Sequence, residues 1–143
     1  MIMCLWTPGV NPFAMADNEI WKALTENSAQ THEAAEDPRL RGRTYTVPFA
    51  TVWDEIINMI DSHSRWSLVR ADEGTGLIHA ESKTLVFRFI DDVRFKLKLD
   101  TNALTRVDMW SASRKGKFDL GVNTRRISHF FRDLDRRLGV EQR

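Results

Sequence analysis

"VRFKLKL", residues 93–99, decides the fold. Extended, it sets Val93, Phe95, Leu97 and Leu99 on one side and Arg94, Lys96 and Lys98 on the other. That period of two belongs to a strand with one face against a core and one toward water, the pattern of antiparallel sheets. The same alternation runs through "RTYTVP" (43–48), which Pro48 ends, and through "RWSLVRA" (65–71), "GLIHAES" (76–82), "TLVFRFI" (84–90) and "TRVDMWSASR" (105–114). "DEGTG" and "DTNAL" are the turns between neighbours. Asp91-Asp92, joining two of these runs, reads as either a tight turn or a bulge.

Two segments switch to helical spacing. "FATVWDEIINMIDSH" (49–63) aligns Phe49, Val52, Trp53, Ile56 and Ile60, and "TRRISHFFRDLDRRLG" (124–139) aligns Ile127, Phe130, Phe131, Leu134 and Leu138 before Gly139 stops it. Each has one apolar stripe, so both pack on the same sheet face. The expected fold is α+β: an antiparallel sheet of about five strands with two helices on one face, in the order β-α-β-β-β-β-α. Residues 41–143 form this single domain, and residues 1–40 are an N-terminal extension, partly helical or irregular. In the extension "NEIWKALTEN" carries a weak stripe (Ile20, Leu24), and Trp6, Phe13 and Trp21 need something to cover them. The reading is an arm strapped over the domain, with partner binding as the alternative.

A chain of 143 residues, 42% hydrophobic, suffices for one real core. Net charge is +1, which gives no global attraction to nucleic acid or to membranes. The charge is nonetheless uneven: six acids against Lys22 give −5 over residues 1–37, leaving +6 for the rest. Cys4 is the single cysteine, which excludes an internal disulfide and a Cys-rich zinc site, and the four histidines lack ligand spacing. No apolar run approaches a membrane span and no convincing signal peptide opens the chain, so a soluble cytoplasmic protein is the default expectation. The open sheet face would show Arg88, Arg94, Lys96, Lys98 and Arg106. RNA-binding sheets interleave aromatics there; here only Trp110 qualifies, while Glu81 and Asp108 interrupt the patch, so nucleic acid is not the expected partner.

The densest polar chemistry is "SASRKGKFDLGVNTRRI", residues 111–127. Asn123 is the expected helix N-cap, with Val122 and Ile127 as a hydrophobic staple. Arg125 and Arg126 then fall in the first helical turn, at the unfavourable end of the helix dipole. Pairing with Asp119 or with Asp91-Asp92 would compensate. So would an external anion, or an acidic group on a protein partner, held by Ser111, Ser113, Arg114, Asn123, Arg125 and Arg126, with Asp119 beside them. The leading expectation is a non-enzymatic binding or interaction module with its site here and no cofactor. A hydrolase-like or metal-dependent enzyme using Asp91, Asp92 or Asp119, with His79 nearby, is one alternative. A purely structural module, in which these residues are buried and mutually satisfied, is another. Adjacent strand residues point to opposite faces, so Asp91 and Asp92 converge only in a turn.

"FIDDVRFKL" followed by the 111–127 stretch resembles the family called domain of unknown function 1499, over roughly residues 41–138. Its pattern is an Asp-Asp-Val strand, then Ser-x-Ser-Arg-x-Gly-x-x-Asp-x-Gly-x-Asn, then Arg-Ile. Asp91, Asp92, Val93, Ser111, Ser113, Arg114, Gly116, Asp119, Gly121, Asn123, Arg126 and Ile127 fill it. Phe118 stands where the family has a small polar residue, and the family's leading Cys-Val-Ser-Ser segment is not present. The resemblance implies no activity. It does make the cell envelope the alternative location.

Overall fold

The computed structural model describes residues 28–85, 88–114 and 120–140. Among these residues, six antiparallel strands and two α-helices form an α+β two-layer sandwich. The strands are β1 (Ser28–Gln30), β2 (Arg43–Tyr45), β3 (Trp66–Asp72), β4 (Leu77–Lys83), β5 (Ile90–Leu99) and β6 (Thr105–Ser113). The helices are α1 (Phe49–Ser62), between β2 and β3, and α2 (Leu120–Arg137), after β6. The sheet order is β1-β6-β5-β4-β3, and β2 also pairs with β6, beyond β1. The short β1 lies inside the stretch whose polarity suggested an extension; backbone pairing with β6 outweighs its weak propensity.

The core lies between the sheet and the two helices. Val52, Trp53, Ile56, Met59 and Ile60 of α1 and Ile127, Phe130, Phe131 and Leu134 of α2 are buried against Ile78, Ala80, Val93, Phe95, Leu97, Val107 and Met109. Phe130 sits 4.6 Å from Phe95 and 5.4 Å from Trp66, centroid to centroid, and this aromatic cluster clamps α2 over the centre of the sheet. A second tie is polar. The buried Tyr45 hydroxyl donates to Asp135 at 2.6 Å, and Arg43 approaches the same carboxylate at 3.5 Å, fixing β2 to α2. Gly139 ends α2 at φ 69°, with Val140 N–H on the Asp135 carbonyl and Gly139 N–H on that of Arg136. This is a Schellman motif, and Arg136 and Arg137 in the last turn suit the dipole.

Three local expectations are corrected. Asp91-Asp92 is neither turn nor bulge: both residues lie in β5, in unbroken register with Ser82 and Glu81 of β4 and with Ser113 and Ala112 of β6. Thr84, Leu85, Arg88 and Phe89, read as strand, form the β4–β5 loop; Thr84 N–H reaches the Phe89 carbonyl and Phe89 N–H the Thr84 hydroxyl. Alternation there reflects a loop with exposed Leu85 and Phe89 rather than a packed face. Finally, α2 starts at Leu120, so Asn123 is inside the helix and neither caps it nor positions a Val122–Ile127 staple.

Candidate functional site at the strand-to-helix junction

The register of β5 aims Asp91 at the helix layer, beside Val93 and Phe95, and Asp92 at the opposite face, beside Arg94 and Lys96. Both are buried, at 1% and 2% exposure. A buried carboxylate needs a counter-charge and hydrogen bonds. Each aspartate has its own guanidinium.

On the helix side Arg126 Nη2 donates to Asp91 Oδ2 at 2.5 Å. Its Nη1 donates to Ser111 Oγ at 2.9 Å and to Asn123 Oδ1 at 2.8 Å. Ser111 Oγ donates to the same Asn123 oxygen at 2.7 Å, and Asn123 Nδ2 donates to Ser113 Oγ at 3.0 Å. Ser113, opposite Asp91 in the β5–β6 register, favours the ionised carboxylate. The i, i+3 spacing of Asn123 and Arg126 puts both on the sheet-facing side of α2, while Ser111 and Ser113 alternate onto the matching face of β6. Burial pushes the Asp91 carboxyl above its usual range, against the pull of Arg126.

On the other face Arg114 grips Asp92 with two bonds, Nε to Oδ2 at 2.7 Å and Nη2 to Oδ1 at 2.8 Å. His79 Nε2 lies 2.9 Å from Asp92 Oδ1, and Arg114 Nη2 also reaches Glu81 at 2.6 Å. An ionised carboxylate only accepts, so His79 Nε2 carries the hydrogen. Burial alone would raise the Asp92 pKa, but the hydrogen bonds from His79 and Arg114 and their charges outweigh it and hold it at about 2.

The structure therefore joins Asp91, Ser111, Ser113, Asn123 and Arg126 in one buried network and places Arg114 and Asp92 in a second, across the sheet. Arg125 belongs to neither: it is exposed, and among the described residues it reaches the Gly121 carbonyl, at 3.4 Å. Asp119, Gly116 and Phe118 lie outside the described residues. With α2 beginning at Leu120, Arg125 and Arg126 are its sixth and seventh residues, so the clash with the helix dipole in the first turn does not arise. Glu81 as a second partner of Arg114 was missed. The alternation of β4, which puts His79 and Glu81 on one face, was the available signal. Nothing in the sequence links Tyr45 to Asp135, ninety positions away.

No group of three or more histidine, cysteine or acidic side chains is placed to hold a metal among the described residues. No described helix is long and apolar enough to cross a membrane. No curated protein matches the sequence. The model of a family described as "Protein of unknown function (DUF1499)" matches residues 18–134, which takes in β1 through most of α2 and every described residue of both networks. By that match over most of its length, the chain belongs to the DUF1499 family.

Proposed function

We propose that this chain is a non-enzymatic interaction module whose signature residues act as a lock, fastening α2 to the sheet so that the surface it presents is rigid. The observation that carries the reading is the fate of the two adjacent aspartates. They face opposite sides of β5, and each is closed by its own arginine. Carboxylates so engaged are poorly placed to share a metal or to exchange a proton with a substrate. Denaturant unfolding of Asp91→Asn and Arg126→Lys tests the lock: both lose stability while keeping the native circular dichroism spectrum. Unchanged midpoints would sink it.

A small-anion site remains the second reading, on one observation: Arg114 is 40% exposed at its outer edge. Thermal-shift titrations with phosphate, citrate and ATP at matched ionic strength decide between the two. The lock alone predicts no saturable stabilisation. A saturable shift that Arg114→Ala removes establishes the anion site.

A further inference from the structure

The two helices present opposite charges to solvent. Helix α1 contains Asp54, Glu55 and Asp61 and no basic residue. Asp54 and Asp61 are exposed and two turns apart, on the side of α1 away from the buried Val52, Ile56 and Ile60. On α2, Arg125, His129, Arg132 and Arg136 are exposed. Their spacing sets them within about 60° of arc, opposite the buried Ile127 and Leu134. Among the described residues Asp54, Asp61, Arg125 and Arg132 stand in no ion pair, and Arg136 has Asp133 at 3.6 Å. Asp61 also breaks a local rule. It lies in the last turn of α1, at the negative end of the helix dipole, in a turn without a basic residue. Local rules give way where a residue serves something beyond its own element. The acidic and the cationic lines run side by side. Arg137 of α2 reaches Glu55 of α1 at 2.8 Å. Burial and Arg65 lower the His63 pKa while Asp133 opposes them, which puts Asp133 near the end of α1. Asp54 is therefore level with Arg136, and Asp61 with Arg132.

We infer that the outer side of the helix layer docks a second copy of this chain, face to face about a twofold axis running between α1 and α2. Such an axis lays α1 of each copy over α2 of the other. It keeps level residues level, so Asp54 meets the partner's Arg136 and Asp61 meets the partner's Arg132, each pair being made twice. Along the helices the two acids are about 10 Å apart and the two arginines about 6 Å, a difference that arginine side chains span. Charge selects this occupant. An anionic membrane or a nucleic acid would satisfy α2 but press Asp54 and Asp61 against like charge. An acidic segment of a different protein would engage α2 and leave the acidic line of α1 unanswered. A second copy answers both lines at once. Contacts between exposed charges are individually weak and are screened by salt, so the dimer is a transient one. The inference rests on the interaction-module reading and names the surface and the partner of that module.

Sedimentation equilibrium of the full chain tests it, at roughly 20 mM ionic strength and at protein concentrations up to about 1 mM. The wild type is expected to dimerise there and to dissociate as salt is raised. Two charge-reversed variants carry the decision: Asp54→Arg with Asp61→Arg, and Arg132→Glu with Arg136→Glu. Each is expected to be monomeric alone, since like charges then face each other at every contact. Mixed in equal amounts they should form a one-to-one dimer, because one variant's reversed helix meets the other's. Neutral counterparts, Asp54→Asn with Asp61→Asn and Arg132→Gln with Arg136→Gln, should weaken the dimer about tenfold and replace any reversed variant that loses the native circular dichroism spectrum. A dimer that survives either reversal uses another surface and overturns the inference. So does a mixture that fails to associate. A wild type that stays monomeric while Asp91→Asn and Arg126→Lys lose stability would overturn the inference and leave the lock standing.

Discussion

Asp91 and Asp92 are neighbours in sequence and opposites in environment. Asp91→Asn leaves the Arg126 guanidinium buried, with Ser111 and Asn123 but without its counter-charge. Breaking a buried pair from one side typically costs 3–5 kcal/mol. An asparagine still accepts one hydrogen bond, so about 3 kcal/mol is expected from urea denaturation. Asp92 makes a pH-dependent prediction. Its folded pKa of about 2 lies below that of an unfolded aspartate, so between those values the native state binds fewer protons than the unfolded chain. Its contribution is complete above the unfolded pKa and is lost as pH falls through about 2. Asp91, pushed upward by burial, has the opposite slope, so the acid limb of the wild type mixes the two. Comparison with Asp92→Asn isolates one. The stability gap between the two proteins should narrow by roughly 2 kcal/mol from pH 6 to pH 2. A gap independent of pH would show that Asp92 is not held ionised by Arg114 and His79.

Among the elements, α2 shows where local rules gave the right element and the wrong edge. The stripe from Ile127 to Leu134 and the stop at Gly139 were legible, because periodicity and left-handed glycine are properties of neighbouring residues. The start was misread because Asn123 satisfies the local pattern of a cap. Its tertiary partners, Ser111 and Ser113, come from β6, and no cap rule contains them. The difference is measurable. Serine is as good a cap as asparagine, so a capping Asn123→Ser would be nearly neutral. Inside the network it loses the bond to Ser113 and the acceptor of Arg126, and about 2 kcal/mol should go. The β3–β4 turn makes a parallel case. Gly76 and Gly139 share a left-handed backbone, at φ 71° and 69°. A methyl group at Gly139 would meet nothing within 4 Å, whereas at Gly76 it would lie 2.1 Å from the Leu97 carbonyl oxygen. Gly139→Ala should therefore cost only the dihedral penalty, about 1 kcal/mol, and Gly76→Ala clearly more, since the backbone of β5 must move.

At the scale of the whole molecule, what the sequence made legible is the layer structure. "VRFKLKL" and two amphipathic helices suffice for a sheet with one covered face. What it hid is which polar residues meet across the layers. Those meetings depend on the β5–β6 register, which sets Asp91 opposite Ser113 and Val93 opposite Ser111, and on the rotation of α2 that brings Asn123 and Arg126 over them. The apolar clamp and the polar lock therefore hold different parts of one helix. Phe130, Phe131 and Leu134 anchor its middle in the core, and Asn123 and Arg126 anchor its beginning to the ends of β5 and β6. The beginning and the middle of α2 should therefore open independently under native conditions, since stability is distributed in local cooperative units. Native-state hydrogen exchange of Asp91→Asn should then show amides around residues 124–127 exchanging markedly faster, while those around 130–134 change only by the loss of global stability. Equal acceleration along α2 would mean that the helix opens as one body, and that the Asp91–Arg126 pair stabilises the fold as a whole without any particular hold on the start of the helix.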